Sequence, residues 1–165
     1  MLLIAKRLGE LDFSALMDVY IEGNMEKAEE YGDGGLLRAE REFCDYLRED
    51  FFRHEGAFYA VWKQGNAYIC ALRMEPYRDG WLLEALETAP EYRRRGYAKA
   101  LVSAVLEQME STIVYSHVSK GNEASLRTHY ACGFVKHLDY VVYLDGSVTR
   151  RGITMRYAGK QQGHP

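Results

Sequence analysis

The chain has 165 residues, enough for one domain, with 47% hydrophobic residues to fill a core and 27% charged residues to cover it. A formal net charge of -3 excludes a general electrostatic attraction to nucleic acid, and no stretch approaches the roughly 18 consecutive apolar residues of a membrane-spanning helix. Cys44, Cys70 and Cys132 are odd in number and far apart, with no C-x-x-C pair, so neither a metal site nor a disulfide framework is expected. The amino-terminal MLLIAKRLGELDF has too short an apolar run for a signal peptide. These features predict a cytoplasmic single domain over residues 1–158, three cysteines that are small buried residues, and a flexible tail over 159–165.

Leu2 to Ala5 predicts an edge strand. Asp12 is placed to cap a helix in which Phe13, Leu16, Met17, Tyr20 and Ile21 follow the helical period. The chain then turns acidic from Glu22 to Asp33, and Gly32-Asp33-Gly34-Gly35 predicts a loop. A second helix carries Leu37, Cys44, Leu47 and Phe51 on one face and ends near Gly56. Ala57 to Lys63 and Ala67 to Met74 read as a hairpin around Gln64-Gly65-Asn66, followed by a loop over Pro76 to Gly80.

Trp81 to Leu86 is a mostly apolar run suited to a central strand. Pro90 stops it, since proline has no N–H to donate. Arg93-Arg94-Arg95 then leads into Gly96-Tyr97-Ala98 and a helix whose Ala98, Leu101, Val102, Val105, Leu106 and Met109 form one apolar face. Thr112 to Val118 predicts the next strand, parallel to the first because a helix intervenes. A helix from Asn122 to Cys132 ends at Gly133. Phe134 to Leu144 and Arg150 to Tyr157 close the chain as a hairpin around Asp145-Gly146. The order βααβββαβαββ predicts an α/β or α+β domain with a mixed sheet.

A strand, a basic turn, a glycine and a helix suit a phosphate or pyrophosphate. The first helical turn offers unpaired N–H groups and partial positive charge, Gly96 permits close approach, and the arginines add charge. No G-x-x-x-x-G-K-[ST] or G-x-G-x-x-G occurs in the chain. Arg93 to Ala98 instead fits Q/R-x-x-G-x-G/A and resembles the cofactor loop of the GNAT superfamily of acetyl-CoA-dependent N-acetyltransferases. A later motif of that superfamily, N-x-x-A-x-x-x-Y-x-x-x-G-F, is similar to Asn122 through Gly133-Phe134, with Ser125 in the alanine place and His129 in the tyrosine place. Tyr130 lies one residue on, about 100° round the helix.

The resemblance implies a mostly antiparallel twisted sheet of about seven strands with a central parallel βαβ unit and about four helices. It implies acetyl-CoA as co-substrate, held around Leu86, Thr88, Arg93, Arg94, Arg95, Gly96, Tyr97, Ala98, Asn122 and Ser125, and a direct acetyl transfer to a primary amine of a small molecule or peptide. Asn122 has helix capping as its ordinary alternative.

By resemblance, the Thr88 N–H sits next to a bulge and faces the developing oxyanion. The base is Glu84, on the same face as Thr88 if alternation holds, or Glu87 if a bulge swaps faces, or His117 on the next strand. Partial burial would raise Glu84 toward neutrality. The acid is His129 or Tyr130, and direct transfer gives Cys132 no covalent role. The acidic run could attract a cationic acceptor, with a solvated helix end as the plainer reading. Monomer and homodimer both remain open, no nucleic-acid or membrane partner is expected, and a non-catalytic acyl-CoA-binding sensor on the same fold is the alternative function.

Overall fold

The computed structural model describes residues 1–109 and 111–159. Strand β1 (Leu2–Ala5) is followed by α1 (Phe13–Val19), α2 (Ile21–Tyr31) and α3 (Gly35–Glu49). Next come β2 (Phe58–Gln64), β3 (Ala67–Tyr77) and β4 (Gly80–Thr88), then α4 (Tyr97–Gln108), β5 (Val114–Ser119) and α5 (Glu123–Ala131). The chain finishes with β6 (Val135–Leu138), β7 (Val141–Val142), β8 (Val148–Thr149) and β9 (Gly152–Tyr157).

Seven strands form one sheet in the order β1-β2-β3-β4-β5-β9-β6, and β7 pairs with β8 in a separate ribbon. The β4–β5 pair is parallel and the other paired strands are antiparallel. The mixed, mostly antiparallel sheet with a central β4–α4–β5 unit is the expected architecture. Among the described residues it carries five α-helices where the sequence predicts about four.

The extra helix arises at Tyr20, whose backbone (φ -98, ψ 15) ends α1 and opens α2. The acidic stretch continues as α2 because no glycine in a special conformation or proline interrupts it before Gly32. Asp12 caps α1 as expected, accepting from Ala15 N–H at 3.0 Å.

Strand β3 runs through Pro76, where the sequence predicts a loop. Pairing of β2 with β3 stops at Phe58 opposite Met74, so the edge of β3 at Pro76 faces no strand on that side and loses no ladder bond. A two-residue turn at Arg78-Asp79, with Arg78 at φ 51, joins β3 to β4. The expected single strand from Phe134 to Leu144 is divided at Asp139-Tyr140. There the Tyr140 carbonyl accepts from the Thr154 hydroxyl at 2.8 Å, and Asp139 is drawn to Lys136 and Lys120. The expected tail falls, beyond Gly159, outside the described residues.

Apolar packing covers both faces of the sheet. On one, Leu101, Val102 and Val105 of α4 meet Leu72, Met74, Leu83, Val114 and Met155, with Phe134 beside them. On the other, Leu16, Met17, Leu47 and Phe51 meet Tyr59, Val61 and Ala71. Among the described residues no helix is long and apolar enough to cross a membrane, and no group of His, Cys, Asp and Glu could hold a metal ion.

Candidate active site

The site is built around an irregularity in the central strand. From the Arg78-Asp79 turn, β4 pairs with β3 in register as far as Glu84 opposite Arg73, and the pairing resumes shifted by one at Glu87 opposite Ala71. The added residue is a β-bulge at Ala85, which sits at φ 51. Tyr20 donates its hydroxyl to the Ala85 carbonyl at 2.7 Å, and Tyr59 donates to the Tyr20 oxygen at 3.1 Å.

The bulge changes which face each side chain uses. Leu83, Leu86 and Thr88 face α4; Thr88 donates to the buried Cys70 sulfur at 3.3 Å and Leu86 packs against the α4-side core. Glu84 and Glu87, opposite Arg73 and Ala71, face α1 to α3. Strict alternation would put Glu84 on the face of Thr88; the bulge puts it on the opposite face, together with Glu87.

Strands β4 and β5 pair only from Trp81 opposite Val114 to Leu83 opposite Ser116, and then part. Glu84 and His117 are the first residues past the last paired step, on the same face of a widening notch. The Ala89 N–H donates to the Ile69 carbonyl at 2.9 Å, so by alternation the Thr88 N–H points away from β3 and into the notch. In this structure Glu87 Oε1 accepts that N–H at 3.3 Å.

Glu84 sits in a charged and aromatic nest. Arg73 Nε donates to Glu84 Oε1 at 3.1 Å, with the two side chains 14% and 24% exposed. The Arg73 guanidinium also lies over the Tyr46 and Phe51 rings at 4.9 and 5.5 Å. Burial raises the Glu84 carboxyl to about 7; the Arg73 charge opposes the rise and a hydrogen bond with the Glu75 carboxyl adds to it. His117 is pulled down to about 4, first by burial and then by Arg78, and its ring meets Tyr77 and Tyr143 edge-on at 5.4 and 5.8 Å. Beside the bulge, Tyr20, Phe43, Glu22, Asn24, Lys27 and Glu87 line an open pocket of about 200 Å³.

On the other side of β4 the basic turn enters α4. Gly96 adopts φ 81, which suits glycine, and a Cβ there would meet nothing within 4 Å. No side chain caps this helix start. Arg94 and Arg95 are exposed, Arg95 lying 5.7 Å from the Tyr92 ring centre. Tyr97 accepts from Gln64 at 3.1 Å, and Ala98 packs against the core. Arg93 differs from its two neighbours. It donates to Glu22 at 2.7 Å, to Glu87 at 3.2 Å and to the Thr88 carbonyl at 3.2 Å, tying α2 to the end of β4.

A protein-family model described as Acetyltransferase (GNAT) family matches residues 22–134, more than half of the chain. The chain belongs to the GNAT acetyltransferase family. Solved structures agree on the fold. The ribosomal-protein-S18-alanine N-acetyltransferase of Escherichia coli superposes with a TM-score of 0.63 over 100% of this chain and 99% of its own, at 16% identity. The PaiA N-acetyltransferase of Thermoplasma acidophilum, in complex with coenzyme A, gives 0.66 over 96% and 99%, at 16% identity. A type Ii aminoglycoside 6'-acetyltransferase gives 0.65 over 96% of both chains, at 14% identity. No curated protein matches the sequence at a significant level.

In this GNAT domain the later motif forms the start and inner face of α5. Asn122 caps the helix, accepting from Ser125 N–H at 3.1 Å. His129 is buried, its ring meeting Phe134 edge-on at 5.0 Å. Its Nδ1 lies 2.8 Å from the Ser125 carbonyl, which can only accept, so Nδ1 carries the proton and Nε2 does not. Burial lowers its pKa against that hydrogen bond, and Nε2 is buried without a partner among the described residues. Tyr130 is 51% exposed. Cys132 reaches the Lys99 carbonyl and Ser103 on α4, so helical geometry puts Ser125 and His129 toward α4 and Tyr130 on the far side.

The buried Cys70 thiol is pushed up to about 12 by burial, and Cys132 is raised by the same cause. Cys44, within α3, and Cys132, at the C-terminal cap of α5, are partly rather than fully buried. The sequence reading missed Arg73, Glu75, His54, Tyr20 and Tyr59. One signal was available: Arg73 and Glu84 interrupt the apolar runs of β3 and β4, and a two-residue turn at Arg78-Asp79 places them opposite each other.

Proposed function

We propose that the protein transfers an acetyl group from acetyl-CoA directly to a primary amine of a small molecule or peptide, with Glu84 as the base. The observation that carries this reading is the Glu84 carboxyl, held near neutrality beside the notch between β4 and β5, with an uncapped, arginine-flanked helix start on the opposite face of β4. The open space over Gly96 and the exposed Arg94 and Arg95 fit a pyrophosphate there. On this reading Leu86, Thr88, Tyr97, Ala98, Asn122 and Ser125 serve the rest of the acetyl-CoA, and Arg93 holds the loop through its carboxylate partners.

An ammonium has no lone pair, so it must lose a proton before it attacks. A carboxyl whose pKa lies near 7 is matched to that task at neutral pH. Acetyl-CoA supplies an activated carbonyl, and attack puts negative charge on its oxygen. The Thr88 N–H, directed into the notch, is placed to stabilise that charge once Glu87 yields it, an interaction typically worth about 3 kcal/mol. Glu87 is tied to Arg93 and lines the open pocket, and His117 is too weakly basic at about 4, so Glu84 is the better base. For the leaving thiolate we assign no side-chain acid. His129 Nε2 has no proton to give, Tyr130 faces away from α4, and a thiolate can leave unprotonated and take its proton from water.

That missing acid also supports the second reading, acyl-CoA binding without turnover. The acidic side chains Glu26, Glu29 and Glu30 are exposed on α2, whereas Glu22 lines the pocket and pairs with Arg93, so the acceptor's charge is left to experiment. Isothermal titration with acetyl-CoA and desulfo-CoA, repeated on Arg95→Glu and on Arg95→Glu with Gly96→Asp, tests the cofactor loop. Micromolar binding lost in both variants supports it, and absence of binding to the wild-type chain sinks the whole reading. An amine panel on wild type and Glu84→Gln then separates catalysis from binding alone.

A further inference from the structure

Behind Glu84 lies a second buried acid that the transfer chemistry does not use. Glu75 is fully buried on β3, two residues from Arg73 and therefore on the same face. Its Oε2 contacts His54 Nδ1. Its Oε1 is buried with no hydrogen-bond partner among the described residues. Glu84 sits diagonally across from it on the same face of the neighbouring strand, Arg73 being opposite Glu84 and Glu75 opposite Leu82. The Glu75 carboxyl adds to the rise of the Glu84 pKa. Two ionised carboxylates cannot hydrogen-bond to each other, because both only accept. A proton resting on Glu84 supplies the donor that Glu75 Oε1 lacks. At the outer end, the His54 side chain is 43% exposed, and its Nε2 lies 4.0 Å from the exposed Asp50. Glu84 beside the notch, the buried Glu75 and the half-exposed His54 thus lie in that order from the notch toward solvent.

We propose that Glu75 and His54 carry to solvent the proton that Glu84 takes from the amine, a role that rests on Glu84 being the base. The amine N–H bond breaks and an O–H bond forms on Glu84. That proton passes to Glu75 Oε1, restoring the Glu84 carboxylate for the next turnover. The Glu75–His54 pair starts with one proton shared between Oε2 and Nδ1 and another on Nε2. As the new proton reaches Oε1, the shared proton settles on Nδ1 and the Nε2 proton leaves to water. One proton enters and one leaves. Rotation of the Glu75 carboxyl, with exchange of the imidazole protons when the half-exposed ring turns to water, restores the starting arrangement. Glu75 and His54 act through Glu84 without touching the amine, so they are positioning residues rather than catalytic ones.

The other groups around Glu84 are poor carriers. Arg73 stays charged. Burial pushes the Tyr46 and Tyr59 phenols up to about 12 and raises Tyr20 well above the ordinary tyrosine value. His117, across the notch, has its ring held between Tyr77 and Tyr143 rather than leading to water.

Two measurements test this. In protein labelled with carbon-13 at the glutamate carboxyls, the Glu84 signal is assigned by its loss in Glu84→Gln and titrated. Glu75→Gln is expected to bring its midpoint down by about one pH unit or more, a tenfold change in proton affinity, because a facing carboxylate is gone. An unchanged midpoint overturns the contact on which the path depends. With acetyl-CoA and an amine active on the panel, His54→Ala is expected to lower kcat about tenfold in dilute buffer, and added imidazole is expected to restore it. An unchanged kcat, or a loss that imidazole does not repair, overturns the path. Full activity in Glu84→Gln would instead overturn the base assignment, and so the two failures are distinguishable.

Discussion

The Tyr20 hydroxyl donates to the Ala85 carbonyl at 2.7 Å, and Ala85 is the residue at which β4 bulges with φ 51. A non-glycine residue in that region costs about 1–3 kcal/mol, so something outside the strand must hold it there. Tyr20, at the junction of α1 and α2, does so and receives the Tyr59 hydroxyl in turn. Tyr20→Phe removes both bonds and leaves the Ala85 carbonyl and the Tyr59 hydroxyl short of a partner. The expected loss is about 1–2 kcal/mol, read as a Tm lower by a few degrees. Because the bulge sets the faces of Glu84 and Thr88, kcat/KM should fall more steeply than stability does. A variant with lowered Tm and full activity would show that the bulge holds its form without Tyr20.

Glu84 also gives stability an unusual dependence on pH. Its folded pKa is raised to about 7 by burial, above the ordinary value for a glutamate. Between those two values the native chain keeps a proton that the unfolded chain has released, so this group's contribution to stability falls as pH rises through the window. The effect is on the order of 3 kcal/mol if the full shift is expressed. Glu84→Gln keeps an acceptor for Arg73 and removes the titration. Its stability relative to wild type should therefore grow from pH 4.5 to pH 8 in denaturant melts. A flat difference across that range would mean that Glu84 titrates as an ordinary surface carboxylate. The rising limb of wild-type kcat/KM should lie near pH 7 and vanish in the variant.

Much of this architecture was legible in the sequence because it depends on local periodicity and turn chemistry. The apolar face of α4 from Ala98 to Leu106, the glycine before it and the parallel return through β5 all follow from residue spacing. The geometry at Glu84 does not. Ala85 carries no mark of a positive φ, and its conformation is imposed by a hydroxyl 65 residues away in the chain. Pro76 suggested a loop because a missing N–H usually ends a strand, yet here the N–H would have faced an unpaired edge. That reading hid the Arg78-Asp79 turn and with it the pairing of Arg73 and Glu84. Similarly, His129 could be counted into the tyrosine place of the motif, but its tautomer depends on the Ser125 carbonyl, which only the folded helix brings near.

Gly80 fixes where β4 and β5 begin to pair. A Cβ there would lie 2.2 Å from the Ile113 carbonyl oxygen and 2.9 Å from its carbon, and backbone atoms cannot swing aside as a flexible side chain can. The neighbouring Trp81 N–H donates to that same carbonyl at 3.0 Å. Gly80→Ala must separate the strands at their paired end, at a cost of about 1–3 kcal/mol. Gly9→Ala, where a Cβ would meet nothing within 4 Å, serves as the control and should be close to neutral. Thermal unfolding of both variants decides it: equal melting temperatures would mean that the strand pair tolerates the added carbon. Acetyl-CoA titration of Gly80→Ala should show weakened binding, since the same pairing sets the shape of the notch.

His129 and Tyr130 make opposite predictions from adjacent positions on α5. His129 is buried against Phe134, with Nδ1 committed to the Ser125 carbonyl and its pKa lowered by burial. In its neutral form the proton should sit on Nδ1 and not on Nε2, which nitrogen-15 shifts of the labelled ring can report. His129→Ala leaves a void beside a packed ring, at a cost of roughly 2–4 kcal/mol by analogy with other large-to-small core changes. Its main effect should be on Tm, with acetyl-CoA affinity following only as far as α5 shifts. Tyr130→Phe removes a hydroxyl from an exposed side chain on the far side of the helix and should change both Tm and kcat by little. A fall in kcat of about a hundredfold in Tyr130→Phe, with Tm unchanged, would assign the thiolate's proton donor to Tyr130. It would also require α5 to turn by about one residue when acetyl-CoA binds, because 100° is what separates the two side chains around the helix axis.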